Sequence, residues 1–150
     1  MNEYRFTDLS VGMELSFDHL ENEKSGEGGG IEITLCDLKK YQELSGDISP
    51  IHVDEDYAKK RGFRGRVCYG MLVSSFYSTL VGTYLPGRYA FLQEAKISMV
   101  RPVYVGDRLS VTGTVKELHV NLKRVTIKAH IRNQNGEIVS RAILGVGMSE

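Results

Sequence analysis

After Pro86-Gly87 the chain changes character and keeps the new one almost to its end. Tyr89 to Val100, Arg108 to Leu118, Leu122 to Asn133 and Ile138 to Met148 are rich in Val, Ile, Thr and Tyr, and several of these runs alternate apolar with polar residues. That pattern predicts consecutive β-strands, each with one buried face. Gly106-Asp107 and Asn135-Gly136 supply the turns between them, the second being a strong hairpin signal. An antiparallel meander of this kind must bury its apolar face against something. The partner is legible immediately upstream. From Tyr69 to Tyr84 the residues Met71, Leu72, Phe76, Leu80 and Val81 fall at helical intervals, with small polar Ser74, Ser75, Ser78 and Thr79 between them. One long, largely buried helix followed by a sheet predicts an α+β domain.

The rest of the chain fits a single domain over residues 1–150, long enough for one core. Glu21 to Gly30 is charged and then glycine-rich, with little apolar surface to offset the entropy of ordering it, so a mobile loop is expected at about 21–30. Thr34 and Asp37 have the spacing of a capping box, and Leu35, Leu38, Tyr41 and Leu44 then recur at helical spacing up to Gly46. Asp54 is placed to cap a second short helix through Tyr57, Ala58 and Lys59, ending near Gly62. Between the two helices a tight turn is expected.

That turn carries the chemistry. Gly46-Asp47-Ile48-Ser49-Pro50-Ile51-His52 sets a carboxylate and an imidazole five positions apart. Pro50 fixes its own φ and pushes Ser49 toward an extended shape, which stiffens the loop. Such a pair can hold one water: imidazole takes a proton from it while the carboxyl group passes one to or from carbon. Spacing alone is also compatible with an Asx turn and a structural histidine. Downstream, Gly70 opens the long helix, and a glycine amide at a helix N-terminus can polarise a carbonyl on which negative charge builds.

These segments together resemble the MaoC-like (R)-specific enoyl-CoA hydratase/dehydratase family. The matching pieces are Leu44-Ser45-Gly46-Asp47, Pro50-Ile51-His52, Gly70-Met71-Leu72, Leu85-Pro86-Gly87 and Arg101-Pro102-Val103-Tyr104-Val105-Gly106-Asp107, in order from about Leu35 to Val146. The resemblance implies a hotdog fold: a long central helix wrapped by a curved antiparallel β-sheet, paired as a homodimer or higher homo-oligomer. It implies a hydro-lyase that adds or removes water at the 2,3 position of an acyl thioester, with coenzyme A or an acyl carrier protein as the carrier and no metal or redox cofactor. By the same resemblance Asp47 and His52 are the catalytic pair, Gly70 is the oxyanion amide, Ser78 hydrogen-bonds the catalytic aspartate, and Val81 belongs to the acyl pocket. Two positions depart from the family pattern. Ser49 stands where Asn is usual, and Tyr69 where His is usual, so the turn is held differently and Tyr69 bears on substrate choice. A non-catalytic acyl-thioester-binding subunit and a hotdog thioesterase are the other readings open to the same fold.

The 19 Lys and Arg residues balance 19 Asp and Glu, which leaves no broad basic field for a nucleic acid. Two cysteines, Cys36 and Cys68, are too few for a disulfide framework or a zinc site and fit a reducing compartment. Cys68, near the helix start, could also be an activated thiolate. His19, His119 and His130 lack metal-ligand spacing. Met1 to Leu20 holds no apolar export segment, and no apolar run reaches membrane-spanning length, so a cytoplasmic chain off the membrane is expected. Lys59, Lys60, Arg61, Arg64 and Arg66 form a basic cluster suited to the phosphates of coenzyme A or the acidic surface of an acyl carrier protein.

Overall fold

The structure, a computed structural model, describes residues 1–20 and 29–149. The glycine-rich segment expected at about 21–30 therefore lies mostly outside the described residues. The sheet is built from β1 (Glu14–Phe17), β2 (Ile31–Glu32), β3 (Ala90–Met99), β4 (Arg108–His119), β5 (Arg124–Arg132) and β6 (Ile138–Met148). Its order is β1-β4-β5-β6-β3, with β2 paired to β4, and every pairing is antiparallel. Register shifts at Leu92/Glu94, Val115/Glu117 and Ile131/Arg132 bend the strands, and the sheet curves without closing.

The helices are α1 (Leu35–Ser45), α2 (Pro50–Val53), α3 (Glu55–Lys60) and α4 (Gly70–Thr79), the last continued by a π-helical turn over Leu80–Tyr84. No charged side chain occurs between Gly70 and Tyr84, so this segment is stable only if covered. Val73, Phe76, Tyr77, Leu80 and Val81 are buried against the inward residues of the sheet, among them Leu109, Val111 and Val115 of β4, Ile127 and Ile131 of β5, and Leu144 and Val146 of β6. The π-helical turn packs tightly on β4 at Gly113, where an added Cβ would stand 2.7 Å from Leu80 Cδ2. The polar Tyr77 is admitted because its hydroxyl donates to Ser140 Oγ at 2.9 Å, and burial pushes its pKa up to about 12.

Most predicted elements are present with shifted ends. The exceptions are short ones. β1 and β2 have four and two residues, too few to show a period, and exist through their pairing with β4. The run expected to begin at Leu122 starts instead at Arg124, because Val120–Leu122 forms a 3-10 turn and Lys123 takes a left-handed conformation, φ 44°. Residues 50–53, expected as part of a tight turn, form the one-turn helix α2 with Pro50 at its start, where a missing N–H costs nothing. Among the described residues no helix is long and apolar enough to cross a membrane.

Replacing Gly113 by Ala should destabilise the protein by about 1–3 kcal/mol, since Leu80 or the strand must move to admit the methyl group. Urea unfolding of wild type and variant measures this; an unchanged midpoint would show that the helix does not press on the sheet here.

Candidate functional site

Local hydrogen bonds bring the chain to the Asp47–His52 segment. The Thr34 hydroxyl oxygen accepts the Asp37 N–H at 3.2 Å, and Asp37 Oδ2 accepts the Thr34 N–H at 2.9 Å, closing the box that starts α1. At its other end Gly46 adopts φ 71° and donates to the Gln42 carbonyl at 2.8 Å, a left-handed stop that any side chain would strain. Asp47 follows in a loop. Its Oδ1 accepts the Ser49 N–H at 2.9 Å, so Ser49 supports the turn through its backbone, while its side chain makes no capping bond.

His52 is held from the opposite side. Its Nδ1 lies 2.7 Å from the Val67 carbonyl oxygen, and the Val67 N–H donates to the Ile51 carbonyl at 3.1 Å. A carbonyl only accepts, so Nδ1 carries the proton and the lone pair of neutral His52 is on Nε2. Tyr69 joins the two halves. Its ring packs on the imidazole with centroids 4.2 Å apart and on Tyr41 at 5.0 Å, and its hydroxyl donates to the Asp47 carbonyl oxygen at 2.9 Å. Desolvation, with the nearby Asp47 charge second, raises the phenol pKa, so Tyr69 stays a donor.

On one side of His52 opens an apolar cleft of about 300 Å³, with Phe63, Gly70, Val73, Met99, Val103 and Val139 in its walls. Gly70 is the first residue of α4, so its N–H has no partner within the helix. Met99 packs over it so closely that an added Cβ would lie 3.3 Å from the Met99 methyl. Asp107, expected only as a turn residue, is a buried carboxylate that fixes this wall. It accepts from Arg64 Nη2 at 2.6 Å, Gln134 Nε2 at 3.1 Å and the Tyr104 N–H at 2.9 Å. The segment it anchors meets the helix start through Cys68 N–H to the Val103 carbonyl at 2.7 Å.

The predicted residues are thus brought together unequally. His52 and Gly70 border the cleft, and Tyr69 links His52 to Asp47, which sits exposed in its loop. Ser78 is exposed on α4 and makes no hydrogen bond to Asp47 among the described residues, whereas the resemblance implied one. Eight residues of helix carry it about 12 Å along the axis from Gly70, and it shares the outward face with Met71 and Ser75. Val81 is buried in the core and does not border the cleft; the helix residue that does is Val73, two turns nearer the N-terminus. Phe63, Met99 and Val139 carried no sequence signal beyond apolarity, since only tertiary packing gathers them.

A family profile described as "MaoC like domain" matches residues 19–137. The chain belongs to this MaoC-like family. It is 34% identical over 117 residues to the (R)-specific enoyl-CoA hydratase of Rhodospirillum rubrum, covering 77% of this chain and 81% of that one. It is 38% identical over 73 residues to the mitochondrial 3-hydroxyacyl-[acyl-carrier-protein] dehydratase of Arabidopsis thaliana, covering 49% of this chain and 43% of that protein. Among solved structures, the unliganded R-hydratase PhaJ1 of Pseudomonas aeruginosa superposes with a TM-score of 0.81 at 28% identity, covering 97% of this chain and 85% of its own. The MaoC-like chain has the hotdog architecture of these hydratases, with its sheet left open.

Within this MaoC-like site Cys68 is no nucleophile. Burial, with the charges of Asp107 and Asp37 adding, pushes its thiol up to about 12, so it stays protonated through the neutral range. Cys36 is exposed. A thiol dye at pH 8 should therefore titrate one group per native chain and two after denaturation; rapid reaction of both in the native protein would contradict the burial of Cys68.

Proposed function

We propose that this chain is a hydro-lyase that interconverts a 2-enoyl thioester and water with the (R)-3-hydroxyacyl thioester. The observation that carries the reading is the placement of His52. Its Nδ1 is fixed on a backbone carbonyl, and its ring borders an apolar cleft that Gly70, the first residue of α4, also lines. The kinship with (R)-specific hydratases and 3-hydroxyacyl dehydratases supports the same reaction class.

In the hydration direction one water supplies both the hydroxyl group for C3 and the proton for C2. Nε2 of His52 takes a proton from water as its oxygen bonds to C3, and the C2–C3 electron pair shifts to place charge on the thioester oxygen at the Gly70 N–H. The imidazolium proton passes to the Asp47 carboxylate, which delivers it to C2 as the C1–C2 electrons return. Dehydration reverses each step. The thioester arrives on coenzyme A or on an acyl carrier protein, and the free cysteines suit a cytoplasmic setting. Asp47→Asn and His52→Gln should each lower kcat by about 10²- to 10⁴-fold. Tyr69→Phe, which keeps the ring and loses the bond to the Asp47 carbonyl, should lower kcat roughly two- to tenfold with little change in KM. The rate of enoyl-thioester absorbance loss reads all of these, and full activity in both Asp47→Asn and His52→Gln would refute the assignment.

Homo-oligomer formation is part of the proposal. β3 ends the sheet with an unpaired edge, and Met71, Phe91, Leu92, Met99 and Val100 stand exposed on or beside it. Leu44 and Ile48, flanking Asp47, are 85% and 73% exposed. A second copy along β3 would cover apolar surface next to the cleft. Sedimentation should give at least twice the chain mass, and charged replacements at Leu92 and Met99 should shift it toward the monomer.

A further inference from the structure

Two hollows meet at His52, and they differ in chemistry. One is the apolar cleft. The other, about 290 Å³, is bounded by Leu35, Lys39 and Gln42 of α1 and by Arg66, Tyr69 and His52. Its cations are what set it apart. Most of the basic run that precedes α4 is already engaged within the chain. Lys59 pairs with Glu55 at 3.0 Å, Arg61 donates to the Tyr57 hydroxyl, and Arg64 is fixed on Asp107 and lies over the Tyr104 ring at 4.2 Å. Arg66 is different: the residue is half-buried and its side chain makes no hydrogen bond or ion pair among the described residues, and neither does that of the exposed Lys39. The acid that senses Arg66, Glu55, is occupied by Lys59 and by the Arg66 backbone N–H.

A guanidinium with its donors unused, sharing a hollow with an ammonium, is a poor arrangement in isolation and a good one around an anion. We infer that this hollow is an anion subsite in which Arg66 and Lys39 hold an anionic oxygen group of the thioester substrate, with Gln42 beside them. The inference rests on the hydro-lyase reading and deepens it, since the hollow shares His52 with the cleft. Two parts of such a substrate carry that chemistry: a phosphate of the carrier arm and a carboxylate on the acyl chain.

The test uses four thioesters: 2-butenoyl-pantetheine, 2-butenoyl-4′-phosphopantetheine, and the counterpart of each with a carboxylate at the end of the acyl chain. Turnover is measured with each, and binding is measured by calorimetry with the saturated, unreactive analogues. Wild type should prefer an anionic form over the neutral one, and Arg66→Gln and Lys39→Gln should each remove about tenfold of that preference. Preference for the phosphorylated pair assigns the subsite to the carrier, and preference for the carboxylated pair assigns it to the acyl chain. Lys40→Gln, which removes the same charge from the exposed residue next to Lys39 on α1, should alter none of these constants. Equal handling of all four thioesters by wild type, or an equal loss in Lys40→Gln, overturns the subsite. Anion-selective binding without turnover would instead sink the hydro-lyase reading and leave the subsite standing.

Discussion

A helix without a charged side chain cannot stand in water, and the segment from Gly70 to Tyr84 is such a helix. Burying it decides the architecture. The sheet must present an apolar concave face, which the alternation of β4, β5 and β6 supplies, and must bend around a cylinder, which the three register shifts allow. The requirement is tightest at Gly113, where the strand yields its side chain to Leu80. Fixing the helix in this way also fixes its N-terminus, so Gly70 is held beside the cleft. The site inherits its precision from the core.

The chemistry, however, is assembled from segments that the helix does not contain. Asp47 comes from the loop after α1, His52 from α2, and the carbonyl that orients the imidazole from Val67. Tyr69 makes these one unit, touching the imidazole face, Tyr41 of α1 and the Asp47 carbonyl. The histidine that the resemblance leads one to expect at this position would be shorter. The tyrosine here reaches the loop and ties its backbone at the Asp47 carbonyl.

Much of this was legible in the order of residues, and the parts that were not share a cause. The capping box at Thr34, the stop at Gly46, the cap at Asp54 and the Asn135-Gly136 hairpin are local, and local signals survive in a single chain. The Asp47-to-His52 turn was legible for the same reason. What escaped was tertiary. Asp107 reads as a turn carboxylate and is a buried hub, because its partners Arg64 and Gln134 lie 43 and 27 positions away. Ser78 and Val81 were given their roles by resemblance, and a matching position on a helix fixes rise and angle but not which neighbour waits there. β1 and β2 are too short to declare themselves without β4.

The two hollows at His52 carry the last step. His52 lines both, so the imidazole stands where apolar walls suited to an acyl chain meet a rim of Lys39, Gln42 and Arg66 suited to a polar group. An anionic substrate group held by that rim would set the position of the thioester relative to Nε2, linking recognition to catalysis through geometry alone.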